Sequence, residues 1–132
     1  MNIQDLVSDL DICQEAKEKG VVINSLSYFV KEYPVKEKEV WVIARKETIT
    51  GTISFYENEH CPAPLTDEIL KVLPREIIIE GYTSLLLIAK NEKTYTAGYE
   101  TDEDELYFIE DKKLSNALLL LAIKLKEEGI IN

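Results

Sequence analysis

The stretch from Ile77 to Glu128 constrains the fold more than any other part of the chain. It reads EIIIEGYTSLLLIAKNEKTYTAGY, then an acidic linker, then LYFIEDKKLSNALLLLAIKLKEEG. Short apolar runs separated by turn residues predict strands, and the long run that follows is too long for a strand and fits a helix. Glu80 and Gly81 fit a tight hairpin turn between Ile77–Ile79 and Thr83–Ala89, and residues 90–93 fit a second turn before TYTAGY. Leu106 to Ile109 is a small apolar island that predicts an edge strand. The helix is expected to open at Asp111 or Ser115 and to stop at Gly129. Its residues Ala117 to Ile123 are apolar almost without interruption, so it must be covered on most sides, by a sheet and by another helix or a second subunit.

The preceding half of the chain is read around this core. Ile3, Leu6, Val7, Leu10 and Cys13 recur at spacings of three and four, which predicts a first helix over residues 3–19, capped by Asn2 and stopped by Gly20. Residues 24–33 fit two patterns, a helix through Leu26, Phe29, Val30 and Tyr33, or a strand through Leu26, Tyr28 and Val30; the cap residue Asn24 favours a helix from Ser25 to Tyr33. VWVIAR and TITGTISFY predict a hairpin with one wet face. Glu57 to Leu65 is expected as an irregular loop, and Thr66 as the cap of a two-turn helix closed by Pro74. Ile43–Thr50 echoes Ile88–Thr96, so the chain could comprise two hairpin-plus-helix units, about 40–74 and 77–128. The expectation is a single α+β domain over 1–132: an antiparallel sheet of hairpins or a meander, helices packed mainly on one face, and the C-terminal helix central to the core.

Charge narrows the function. The 132 residues carry 25 acids against 15 bases, a formal net charge of −10. That balance repels phosphate backbones and anionic lipid, so direct nucleic-acid and membrane binding are not expected, whereas a basic protein partner is. No apolar run approaches the roughly 18 residues that span a bilayer. MNIQDLVSDLD carries acids where an export signal needs a basic start, so a cytoplasmic location is expected. Two cysteines suit neither a disulfide framework nor a zinc site, and no metal or cofactor is expected.

From Leu73-Pro74-Arg75-Glu76-Ile77 through Tyr99, and again from Leu114 to Gly129, the chain resembles small uncharacterised proteins of phages and prophages. In those a short meander ends in an apolar helix rich in leucine and alanine. The resemblance covers the C-terminal half and implies a phage or mobile-element origin with host-factor binding. It implies no activity and supplies no catalytic residue.

Two constellations could carry chemistry. The first is the acidic run from Glu100 to Asp111. It lacks the glycine that a calcium loop of the EF-hand kind requires, and Asp102, Glu103, Asp104 and Glu105 are the expected contact residues for a basic partner. The second is Cys61 beside His60, the pair that a small cysteine-dependent hydrolase or transferase would use, with imidazole activating a thiolate. Neighbours in sequence rarely point at each other, which disfavours that alternative. The favoured reading is a non-enzymatic protein-interaction module. A homodimeric structural protein, joined through Leu118 to Ile123, is a further alternative.

Overall fold

The structure is a computed structural model that describes residues 3–32, 40–45, 60–100 and 105–132. Among the described residues there are two antiparallel sheets and three α-helices, with the C-terminal helix packed on strands as the sequence implied. The first sheet has the order β2-β1-β3, from β1 (Ser27–Glu32), β2 (Val40–Arg45) and β3 (His60–Pro62). The second is a meander in chain order, β4 (Glu76–Ile79), β5 (Tyr82–Lys90), β6 (Tyr95–Glu100) and β7 (Glu105–Asp111). The helices are α1 (Leu10–Glu18), α2 (Thr66–Leu70) and α3 (Leu114–Glu127).

α3 is the centre. Ala117, Leu118, Leu119, Leu121, Ala122, Ile123 and Leu125 are all buried, against β6 and β7 on one side and against α1 and α2 on others. Leu118, Leu119, Leu121 and Ile123, which the homodimer alternative placed at a subunit face, are buried within the chain. Gly129, at φ 74°, ends the helix. Its amide donates to Lys126 and that of Ile130 to Leu125, at 3.1 and 2.9 Å, so the last carbonyls are satisfied by a Schellman turn.

The meander follows local turn chemistry. Glu80 and Gly81 both have positive φ, 53° and 84°, which is the mirror-image turn that matches the twist of paired strands. Ile77 pairs with Ser84 and Ile79 with Tyr82, which fixes the register. Between β6 and β7 the register shifts near Gly98, where Tyr107 adopts φ 57°. A Cβ on Gly98 would lie 2.9 Å from the Cα of Phe108, so only glycine admits this close approach. Tyr99, fully buried on the inner face, donates its hydroxyl to the Pro74 carbonyl at 2.7 Å, and burial pushes its pKa up to about 12.

The N-terminal half departs from expectation in four places. The helix expected over 3–19 is interrupted: Ile3–Asp5 is a single 3-10 turn, Val7 forms a bridge with Leu65, and α1 begins only at Leu10. Long-range hydrogen bonds hold the break open. Ser8 Oγ donates to the Ser115 carbonyl at 2.8 Å, the Asp9 amide donates to Asn116 Oδ1 at 2.8 Å, and Lys113 Nζ donates to the Gln4 and Val7 carbonyls. Asn2, the expected cap, lies outside the described residues.

The segment expected as a helix from Ser25 to Tyr33 contains β1 instead. Val21, Ile23, Ser25, Ser27 and Phe29 are buried while the residues between them are not, a strict period of two. The third departure is β3, three residues inside the expected loop; Cys61 pairs with Phe29, and β1 becomes the middle strand. Finally, Leu65 rather than Thr66 takes the cap position of α2, and the Glu68 carboxylate accepts the amides of Leu65 and Leu26 at 2.8 and 2.9 Å. Glu68 thereby ties α2 to the chain leading into β1. The expected partner of β2, TITGTISFY, lies outside the described residues, as does part of the first member of the internal echo; β2 pairs with β1, Phe29 opposite Ile43.

Candidate functional site

Cys61 and His60 are neighbours on β3, and a strand sends successive side chains to opposite faces. Cys61 goes inward and is 2 % exposed. Burial pushes its thiol up to about 11, against a smaller opposing pull from the Lys17 ammonium. That is opposite to the lowered pKa an attacking thiolate needs. His60 goes the other way. Its ring meets that of Tyr28 edge-on at 5.9 Å, and its carbonyl accepts a hydrogen bond from Lys17 Nζ. The backbone therefore separates the two groups that the hydrolase alternative requires together. Cys13 is also buried, its thiol pushed up first by burial and then by the nearby Cys61. Among the described residues no three His, Cys, Asp or Glu side chains gather as metal ligands. No helix among them is long and apolar enough to cross a membrane.

Of the acidic residues expected to contact a partner, Asp102, Glu103 and Asp104 lie outside the described residues. Glu105 is the first residue of β7, and its position pairs with Glu100 on β6. This pairing belongs to a longer row. Glu76 pairs with Leu85, Leu85 with Glu100, and Glu100 with Glu105, so one line across all four strands of the meander carries the pattern acid, leucine, acid, acid.

Leu85 points away from α3, on the face opposite Ser84, which is buried. The same outer face carries Ile78 and Leu87. Exposures are 71 % at Ile78, 58 % at Leu85 and 38 % at Leu87. Leu87 pairs with Gly98, and Phe108, packed at Gly98, extends the apolar ground toward β7. Glu110 closes the next line, opposite Thr96. The outer face thus carries an apolar patch, with Glu110 at the end of one row and the position of Glu105 at the end of another.

This patch was missed from sequence because Leu85-Leu86-Leu87-Ile88 does not alternate. A run apolar at every position must place some large apolar residues outward unless both faces of the sheet are covered, and that is the signal that could have found it. The acids were found from composition alone, but their pairing with the leucines is a property of register. No protein-family model, curated protein or solved structure matches this chain.

Proposed function

We propose that the protein is a non-enzymatic interaction module that takes a protein partner bearing basic and apolar side chains on the outer face of the β4–β7 meander. The observation that carries this reading is the cross-strand row Glu76, Leu85, Glu100, Glu105, flanked by exposed Ile78 and Leu87. Facing pairs in neighbouring strands lie about 5 Å apart, and like charges at such a pair are destabilising. Glu100 opposite Glu105 is such a pair of positions, and a lysine or arginine from outside would relieve the repulsion. The leucines beside it supply the apolar contact that a charge pair exposed to water lacks. The net charge of −10 adds long-range attraction for the same class of partner. In keeping with the resemblance of the C-terminal half, a basic host protein suits this surface.

The test uses two synthetic peptides as probes, one alternating lysine and leucine and one alternating lysine and serine, with binding followed by amide chemical shifts. The lysine–leucine peptide is expected to move resonances of Ile78, Leu85, Leu87 and Glu100. Leu85→Lys, and separately the reversal of Asp102, Glu103, Asp104 and Glu105 to lysine, should each weaken it by about tenfold without loss of folding. Equal binding of the two peptides, or binding indifferent to both sets of substitutions, rejects the proposal.

A further inference from the structure

A cavity of about 330 Å³ lies among α1, residues 20–23, β1 and β3, away from the outer face of the meander. Its floor is formed by Cys13, Ala16 and Leu119, all buried. Tyr28, His60 and Pro62 form a wall. Lys17, Gly20 and Val22 line its exposed side and mark the mouth; Val22 is 80 % exposed, an apolar side chain standing in water at the rim of an apolar hollow.

A second cation, from a different element, lies next to Gly20 at the edge of this mouth. A Cβ on Gly20 would lie 3.6 Å from Cε and 4.0 Å from Nζ of Lys126, so the Lys126 stem crosses over the glycine that ends α1. Lys17 from α1 thus lines the opening, and the Lys126 stem from α3 passes beside Gly20 at its edge, in a chain that is otherwise strongly acidic. Lys17 is held there by its bond to the His60 carbonyl.

We infer that this cavity binds a small amphiphile with a single carboxylate, its apolar chain on the Cys13–Ala16–Leu119 floor and its carboxylate on Lys17, with Lys126 beside Gly20 adding to the local positive charge. The volume sets the size. It lies at the small end of ligand pockets, about 300–1,000 Å³, and at roughly 30 Å³ per water-sized group it holds on the order of ten heavy atoms. The surroundings set the charge. The mouth sits at the C-terminal end of α1, where the partial charge of the helix is negative, and the cations there are point-charge amines rather than a guanidinium fork. That favours a singly charged carboxylate over a doubly charged phosphate.

Octanoate has the right size, and octanol and octyltrimethylammonium change only its head. Titrations followed by amide chemical shifts should give saturable, one-to-one changes for octanoate at Cys13 and at Gly20 to Ile23. Octanol should bind about fivefold more weakly, and the ammonium more weakly still. The double substitution Lys17→Gln with Lys126→Gln should erase the preference for octanoate over octanol. Val22→Glu, at a position that contributes nothing to the core, should abolish octanoate binding and so tests the site even if the double variant is unstable. Equal affinity for octanoate and octanol, tighter binding of the ammonium, or shifts centred on Ile78, Leu85 and Leu87 would overturn the assignment.

Discussion

Removing the Asn116 side chain should unlatch the N-terminal segment from the core helix. Asn116 is buried near the start of α3. Its Oδ1 accepts the Asp9 amide at 2.8 Å, and its Nδ2 donates to Asp9 Oδ2 at 2.9 Å and to Asp111 Oδ1 at 3.1 Å. At about 1 kcal/mol net per hydrogen bond, Asn116→Ala should cost about 3 kcal/mol, and the Asp9 amide left without its acceptor keeps the figure from falling much below that. With about 2.1 cal/mol/K of unfolding entropy per residue over 132 residues, the midpoint should drop by roughly 10 °C. Circular dichroism against temperature and urea measures both.

A double-mutant cycle with Asp9→Ala makes the test specific. Asp9→Ala removes the carboxylate that accepts from Asn116 Nδ2 and from Lys113 Nζ, the latter at 2.7 Å, but leaves the backbone bond in place. The coupling should therefore be about 1 kcal/mol, one hydrogen bond's worth. It also depends on pH with a definite sign. The Lys113 ammonium holds the Asp9 carboxyl below its usual value, so this contribution is fully present above an unfolded pKa of about 3.9 and is lost as pH falls through the lower folded value. The carboxylate is half exposed and solvent screens its pair with Lys113, so that pair alone should add little. A loss under about 1 kcal/mol for Asn116→Ala, or a coupling at pH 7 within about 0.3 kcal/mol of zero, would refute the latch.

Two further outcomes follow from the geometry. Gly98→Ala places a methyl group 2.9 Å from the Phe108 backbone, which no side-chain rotation can relieve; β6 and β7 must part, at a cost of about 1–3 kcal/mol, read by urea unfolding and by faster amide exchange in β7. An unchanged denaturation midpoint would count against the close approach. With its thiol at about 11, Cys61 should be alkylated by iodoacetamide at pH 7 at least about 100-fold more slowly than a free thiol of pKa near 8.5, and at the ordinary rate in denaturant. Native-state alkylation as fast as that of a free thiol would favour the cysteine-dependent alternative.

The C-terminal half was legible because its signals are local. Glu80-Gly81 specifies its hairpin by backbone conformation, Gly129 specifies the helix stop, and a helix apolar on most sides has to lie at the centre. The N-terminal half hides its structure in side chains whose polarity runs against their burial. Along 21–29 the buried positions include Ser25 and Ser27, while Val22 and Leu26 face solvent. The alternation is therefore strict in space and scrambled in hydropathy, and a plausible helix cap at Asn24 prevails in a reading of sequence alone. The break at Val7–Asp9 is invisible for another reason: the bonds that hold it lie 107 positions away. Of the proposed surface, charge revealed the acids near Glu105, but only strand register brings the positions of Glu100 and Glu105 into line with Leu85.

That register bears on why the leucines are there at all. The inner face of the meander already supplies Ile77, Ala97 and Tyr99 to the core beneath α3. Outward leucines at 85 and 87 contribute little to folding, and threonine or lysine at those positions would suit a sheet facing water while discouraging edge-to-edge pairing. The same face includes Ile78 on the edge strand β4, where an exposed apolar side chain is an aggregation hazard. Carboxylates at Glu76 and Glu100 on either side of Leu85 repel a second copy of the same face, because self-pairing would bring acid against acid. A partner of the proposed basic kind would meet the opposite situation, gaining both the leucines and the charges. On the proposed reading, an apolar face guarded by like charge would discriminate against this chain itself and in favour of a cationic surface.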